Sequence, residues 1–551
     1  MCGIWALIKS HPELTDVIIK SFNKVQNRGP DKTNFNVLNN LIYCFHRLAI
    51  NDLSDNGDQP FNYSTLEYNY ILMCNGEIYN HKDLELSYDI KLSSTSDCAI
   101  LLPLFIKLEE DFVKFNNLLR GEYSIVILKE YINSNQVDFF VSTDPLSVRP
   151  MFYYMNYENQ EIGFSSILGG LSDLSNQVNR LDQGTTLCGK CIFGKQLDYQ
   201  LTNFVKYHNN KLIPTNITKE NDYLYKQIVD TLTESIKIRL ESDRPLGCLL
   251  SGGLDSSLIA AIAARELAKT GKKLRTFSIG MKDGTDLEYA KLVADHINSD
   301  HTEFYFTTEE GLLAIEDVMI ATETYDITTI RASVGQYLIA KNIAEKTDVK
   351  VILNGDGADE CQMGYLYFYL HPNEEEALKE RNKLLEQIHL FDGLRVDRNL
   401  SYHGLEARVP FLDKEFVDLY YKISANLLVP TNDRMEKYLI RKAFEVYAPK
   451  LLPNVVLWRK KEAFSDGVSS KEKSWYLIVK DHYSNLVTDE EFADLDRIDG
   501  LKPLCKESYY YRKKFNELYG ENQRVIPRYW LPNWSISKDP SARTLQVYKF
   551  D

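Results

Sequence analysis

The octet LSGGLDSS, residues 250–257, stands between an apolar run, PLGCLL at 245–250, and a helical pattern at 256–269. A strand that breaks on a Gly-Gly turn and runs straight into a helix is a building unit of open parallel sheets. Such sheets bind ligands at the carboxyl ends of their strands. The small residues let the backbone come close to phosphate oxygens, and the helix N-terminus supplies N–H donors. Ser251 and Ser256 add hydroxyls. Asp255 would be repelled by bare phosphate, so it points to Mg²⁺ beside a pyrophosphate. The octet is not a Walker A loop, because no Lys follows the glycines, and it is not a dinucleotide GxGxxG. Further strands follow at KLRTFSIG (273–280), HTEFYF and VKVILNG, with helices between them, one starting near Leu287. Past residue 360 strand signals fade and helices dominate.

The first 200 residues read differently. IYCFHRLAI, YNYILMCNGEIY, GEYSIVILKEY, VDFFVSTD and EIGFSS are short extended runs rich in β-branched and aromatic residues. One helical pattern precedes RGPD, and a second runs through DCAILLPLFIKLEEDFVKFNNLL. A helix, expected at about 222–241, is preceded by the polar, Pro-containing segment 206–221, which reads as a linker. A chain of 551 residues exceeds one ordinary core. The expected division is a first domain at 2–205, the linker at 206–221, a second domain at 222–543 and a tail at 544–551. Layered α+β or α/β packing is expected for the first and a parallel α/β sheet with a helical end for the second.

The net charge of -14 argues against binding nucleic acid through its phosphates. No apolar stretch reaches the roughly 18 residues of a membrane span, and MCGIWALIKSHPE has no basic leader or long apolar core. A reducing, cytoplasmic location is therefore expected, with nine scattered cysteines as free thiols. Cys188 and Cys191 form a lone CxxC with no second ligand pair, and they read as packed thiols. Oligomeric state is left open, a homodimer included.

Cys2 follows the initiator Met. Loss of Met1 would put a thiol and a free α-amine on one residue, and an amine with a pKa of about 7.7–8.0 can take the thiol proton. In CNGEIY, residues 74–79, Asn75 and Gly76 sit where a strand breaks. An Asn amide plus a backbone N–H can form an oxyanion hole. Arg47, in HRLAIND, can fork onto a substrate carboxylate. Asp97, in STSDCAI, can cap a helix or hold a substrate ammonium. In the second half, NGDGADE at 354–360 places Asp356 and Asp359 at the end of a strand, where parallel sheets bind ligands.

MCGIWAL, NRGPD, HRLAIND, NGEIYN, the Ser96–Asp97 pair and DPLSVRPMFY together resemble the class II glutamine amidotransferase domain. That resemblance implies an αββα N-terminal-nucleophile sandwich that hydrolyses glutamine. It implies Cys2 as nucleophile, with Asn75 and the Gly76 N–H as oxyanion hole. Arg47 would take the glutamine carboxylate, and Asp97 with the Gly76–Glu77 neighbourhood its amine. The usual Gly of the DPLGxRP stretch is Ser147 here. LSGGLDSS resembles the pyrophosphate loop of ATP pyrophosphatases, which adenylate a carboxylate or carbonyl.

ETYDITTIRAS, NGDGADE, LEARVPFLD and WRKKEAFSDG, with KDPSAR at 538–543, look like the glutamine-hydrolysing asparagine synthetase family over nearly the whole chain. The resemblance implies L-glutamine, L-aspartate and ATP as substrates and Mg²⁺ as cofactor. It implies Leu249, Ser251, Gly253, Asp255, Ser256, Ile279, Asn354 and Gly355 around ATP, and Asp255 and Asp359 at the metal. Lys461 would lie near the transferring phosphate, Asp356 beside the adenylate that ammonia attacks, and Arg331 and Asp392 near aspartate. The expected reaction runs through β-aspartyl-AMP, with ammonia from Cys2 arriving as NH₃. An amidotransferase acting on another carboxylate is the alternative. The family's SGEGADE loop is NGDGADE here, which leaves Asp356 one methylene short of Glu and puts Asn354 in the place of Ser.

Overall fold

The computed structural model describes residues 1–156, 158, 160–193, 197–209, 213–282, 284–461, 474–493 and 500–535. KDPSAR, the tail at 544–551 and the EAFSDG end of the 458–467 stretch lie outside them. The chain forms two compact units. The first is Met1–Asn209 with Ser401–Glu406 and Asn516–Val525, and the second is Asn210–Leu400, Ala407–Phe515 and Ile526–Asp551.

In the first unit two antiparallel sheets face each other. One orders its strands as Asn179–Arg180, Phe152–Asn156, Glu161–Ser165, Gly3–Lys9, Leu41–Arg47 and Lys32–Val37. The other runs Leu197–Lys206, Thr185–Phe193, Gln136–Thr143, Gly121–Tyr131, Tyr68–Ile78 and Phe61–Ser64. Strand side chains alternate between faces, and the sequence uses both. Ile71 and Met73 join Ile4, Ala6, Ile8, Tyr43 and Phe45 in the core between the sheets. Their neighbours Tyr70, Leu72 and Cys74 pack outward on Leu101, Leu104, Phe105 and Phe115 of the covering helices. On the far side Trp5 meets Phe22 of the helix Asp16–Asn23 with ring centroids 5.9 Å apart. The result is the αββα layering expected. Cys188 and Cys191, three apart on one strand, fall into different cores and pack as thiols.

The long helical pattern from Asp97 does not form one helix. A 3-10 turn Asp97–Ile100 runs into the helix Leu101–Lys107, and a separate helix Phe112–Leu118 follows, because Glu109 and Glu110 adopt φ of 54° and 62°. No right-handed helix continues through two such residues. Late residues complete this unit: Asn522 accepts from the Val178 N–H at 3.0 Å and donates to the Ser175 carbonyl at 2.9 Å.

In the second unit the strands Asp300–Tyr305, Arg275–Gly280, Leu246–Leu249 and Val351–Leu353 lie side by side in that order, all parallel. The helix Leu254–Ala268 follows its strand after four residues. Gly252 makes that turn with φ of 73°, where a Cβ would lie 2.5 Å from the Ala290 nitrogen. Asn221 caps the helix Asp222–Ile238, and Asp326 caps Ile327–Lys346. Among the described residues no helix is long and apolar enough to cross a membrane.

Candidate active sites

The strand Tyr68–Ile78 does not break at Asn75 and Gly76 as expected but runs on to Ile78, paired with Gly121–Tyr131, and with the strand Gly3–Lys9 it brings Cys2 to Asn75. The Cys2 N–H donates to Asn75 Oδ1 at 2.8 Å, and the Leu48 N–H points at Cys2 Sγ from 3.4 Å. Arg28 Nε donates to the Cys2 carbonyl at 3.0 Å. Asn75 is fully buried, and its Nδ2 has no hydrogen-bond partner. A buried amide donor left unpaired is costly, and here it sits on the side chain that also grips Cys2. Gly76 has φ of 152°, and a Cβ there would lie 2.0 Å from the Glu122 carbonyl oxygen. Burial pushes the Cys2 thiol up to about 11 in the chain that carries Met1, against the pull of the Met1 amine.

Arg47 is buried by its own following loop. Nη1 donates to the Ser54 carbonyl at 2.9 Å and to Asp58 Oδ1 at 2.6 Å, and Nη2 donates to the Asp52 carbonyl. Asp97 does not cap its helix. Its Oδ2 receives the Ile78 N–H at 2.7 Å, and Asn51 Nδ2 bridges Asp97 Oδ1 at 3.2 Å and Glu77 Oε2 at 2.7 Å. Burial raises the Asp97 pKa. Two carboxylates sharing one neutral amide can hold a substrate ammonium. Asn51, inside HRLAIND, carries no separate sequence signal.

Ser147 takes φ of 51° and is buried, in a turn where Asp144 receives the N–H groups of Leu146, Val148 and Arg149. The side chain is tolerated, but its hydroxyl has no partner.

In the second unit a cavity of about 280 Å³ is lined by Leu249, Ser251, Gly253, Asp255, Ser256, Ile279, Asn354, Gly355, Asp356, Asp359, Asp392 and Lys461. Ser251 Oγ and Ser256 Oγ lie 3.0 Å apart, and Ser251 Oγ also receives the Gly253 N–H. The turn's amides are thus folded around two hydroxyls. Lys437, buried with φ of 58°, pairs with both Asp255 and Asp359, and Lys461 pairs with Asp359 as well. Burial works to raise the Asp359 pKa, but the two lysines hold it well below the usual carboxylate range. Asp255 Oδ1 is buried without a hydrogen-bond partner. Among the described residues no group of three or more His, Cys, Asp or Glu could hold a metal ion. The orphaned Asp255 oxygen still fits Mg²⁺, which is held by one or two carboxylates together with substrate phosphates.

Asp356 Oδ1 receives Arg395 Nη2 at 2.9 Å and Oδ2 receives Gln336 Nε2 at 2.7 Å. Asn354 Oδ1 accepts the Asp356 N–H at 3.0 Å, so the larger residue braces the loop. Arg395 also pairs with Asp392 at 2.6 Å, and Tyr365 donates to Asp392 and Glu360. Burial raises the Asp356 pKa and, with the Asp392 charge, raises Glu360 well above its usual value.

Arg331 is not brought to this cavity. Its guanidinium forks onto Glu507 and lies 4.7 Å from the Tyr476 ring. Thr328, Ala332, Gln336 and Ile339 of the same helix do line the cavity. They form one stripe at helical spacing, and Arg331 lies about 100° round the helix from Ala332. Lys437, Arg395, Gln336 and Arg459 also line the cavity. Sequence reasoning missed the first three, which fall in no quoted motif. Arg459 lay within a quoted stretch without a role, and it donates to the Gly252 carbonyl at 3.1 Å.

Comparison with known proteins covers both units. The glutamine amidotransferase domain model matches residues 1–195, and the asparagine synthase model matches 227–387 and 371–547. The chain is 39% identical to the human asparagine synthetase [glutamine-hydrolyzing], over 100% of this chain and 99% of that one. The chicken protein of the same name is 38% identical over the same shares. A probable asparagine synthetase of Acanthamoeba polyphaga mimivirus is 39% identical, over 99% of this chain and 100% of its own.

Proposed function

The chain belongs to the glutamine-hydrolysing asparagine synthetase family, and from that membership we propose how its own residues divide the work of making L-asparagine from L-aspartate, L-glutamine and ATP. The observation that carries this reading is the single cavity lined by both the 251–256 loop and the Asp356–Lys461 group. An anion-binding turn and a set of acid-handling residues share one cavity.

Cys2, freed of Met1, attacks the glutamine amide carbon. Asn75 Nδ2 and the Gly76 N–H receive the charge that develops on oxygen. Glu77 and Asp97 hold the glutamine ammonium, and Arg47 faces its carboxylate. In the cavity the 251–256 loop and Ile279 seat ATP, and Lys461 and Lys437 face its phosphates. Mg²⁺, when bound at Asp255 and Asp359, would offset phosphate charge as the aspartate β-carboxylate displaces pyrophosphate. Asp392 and Arg395 orient aspartate. Asp356, its pKa raised by burial, accepts a proton as ammonia attacks the acyl carbon and AMP leaves.

Incubation of the pure protein with glutamine, ATP, Mg²⁺ and aspartate, followed by product analysis, tests the reading. Asparagine, glutamate, AMP and pyrophosphate in equal amounts are expected. Glutamate with no asparagine, but with amide formed on another offered carboxylate, would move the reading to the alternative amidotransferase.

A further inference from the structure

The Met1 amine is buried against Glu406 Oε2 at 3.2 Å, with side-chain exposures of 0% and 3%. Glu406 ends the late segment Ser401–Glu406 that belongs to the first unit. Met1 Sδ lies 2.9 Å from Arg149 Nη1, and Arg149 pairs with Glu122 at 2.9 Å. Removal of Met1 takes away an ammonium paired with Glu406 and creates a new amine one residue along. Successive backbone nitrogens lie roughly 3 Å apart. The Cys2 amine therefore sits one hydrogen-bond length from the vacated position.

We propose that Glu406 is a positioning residue for the glutaminase reaction: it holds and charge-stabilises the Cys2 α-amine, directly or through one water in the place of the Met1 nitrogen, completing a thiol–amine–carboxylate relay. The proposal rests on the reading of Cys2 as nucleophile.

The steps balance. The thiol proton passes to the amine as the S–C bond forms. The resulting ammonium, opposite Glu406, returns that proton to the leaving nitrogen as the C–N bond breaks, giving NH₃. Water then loses a proton to the amine and adds to the thioester. The C–S bond breaks, and the ammonium reprotonates the thiolate. A carboxylate behind the base stabilises the cation formed in the transition state, as the Asp of a Ser-His-Asp triad does. Asn75 Oδ1 fixes the same nitrogen from another side. Glu406 raises the pKa values of both the Cys2 thiol and Asp97, which places it within electrostatic reach of both. Besides Glu406 on the amine, the charged groups around the first two residues are Arg28 on the Cys2 carbonyl and Arg149 beside Met1 Sδ, with Glu122 paired to Arg149 and Asp97 within electrostatic reach of Glu406.

The test uses full-length protein shown by intact mass to begin at Cys2. Glutaminase kcat and KM are measured across pH for Glu406→Gln and Glu406→Asp, and Cys2 alkylation by iodoacetamide is followed at the peptide level. Glu406→Gln should lower kcat at neutral pH by roughly ten- to hundredfold with little change in KM. A carboxylate favours the protonated amine, so its loss should move the acid limb of kcat, and the onset of alkylation, to lower pH. Glu406→Asp should restore the limb and part of the rate, and ammonium-driven synthesis should stay at the wild-type rate. Wild-type kcat and limb in Glu406→Gln overturn the proposal. If that variant also loses ammonium-driven synthesis, the alkylation profiles of both variants decide, and an unmoved onset overturns it. Glutaminase activity surviving in Cys2→Ala would instead refute the nucleophile reading.

Discussion

At Cys2 Sγ and at the Asn75 amide the contacts are single, directional and neutral, an Asn side chain and a backbone N–H, with ion pairs such as Met1–Glu406 and Arg149–Glu122 standing around them. The cavity of the second unit is ionic. Asp255, Asp359, Lys437 and Lys461 form one cluster, and Asp356, Asp392 and Arg395 form another. The difference follows from what each site must stabilise. Attack on a neutral amide develops charge on one oxygen, so a few fixed donors in a dry place suffice. A triphosphate arrives with several charges, so many cations must be ready. Buried cations without partners would be costly, and the protein's own carboxylates pair them until the ligand comes.

Separate chemistry predicts separate failure. Cys2→Ala should lower glutamine-driven synthesis by about 10⁴-fold or more and leave ammonium-driven synthesis intact, as read by glutamate and asparagine release. Equal loss of both in a folded protein would break the comparison. Asp356→Ala should cost roughly 10²–10⁴-fold in asparagine made from ammonium while activation persists. Labelled oxygen from the aspartate β-carboxylate should then appear in AMP without matching asparagine, and wild-type asparagine formation would remove Asp356 from the chemistry. Asn75→Ala sharpens the other side. It should lower glutaminase kcat by roughly 10²–10³-fold and leave ATP-dependent chemistry alone. An unchanged kcat would show that the orphaned Nδ2 receives no charge.

The smallest effect lies away from both reactions. Ser147 carries a Cβ at φ of 51° and a buried hydroxyl with no partner. Ser147→Gly relieves both and should add about 1 kcal/mol of stability, seen as a higher urea midpoint at unchanged glutaminase activity. A lower midpoint would mean that the hydroxyl is satisfied in solution.

The sequence was most legible where local pattern and function coincide. The run GEYSIVILKEY is the observed strand Gly121–Tyr131, and LSGGLDSS lies at the expected strand-to-helix turn. Alternation and small residues are local properties, readable without a partner. Lys437 and Arg395 were not legible in this way, and Glu406 lay in the quoted LEARVPFLD without a role, because each matters through carboxylates or an amine distant in the chain. Arg331 shows the same limit in reverse. An arginine in a ligand-like motif is free only if no acid reaches it, and Glu507, 176 residues later, does.

The late residues that complete the first unit set a clock on its birth. Ser401–Glu406 and Asn516–Val525 leave the ribosome long after Asn209. At about 5–20 residues per second, the interval from Asn209 to Val525 is roughly 15–60 s. Through that interval the nascent sheets lack the Asn522 clasp on Ser175 and Val178, and until residue 406 is made they lack the carboxylate of Glu406 as well. A chain cut short before Glu406 would carry Cys2, Arg47, Asn75 and Asp97 and lack the carboxylate that meets its N-terminal amine.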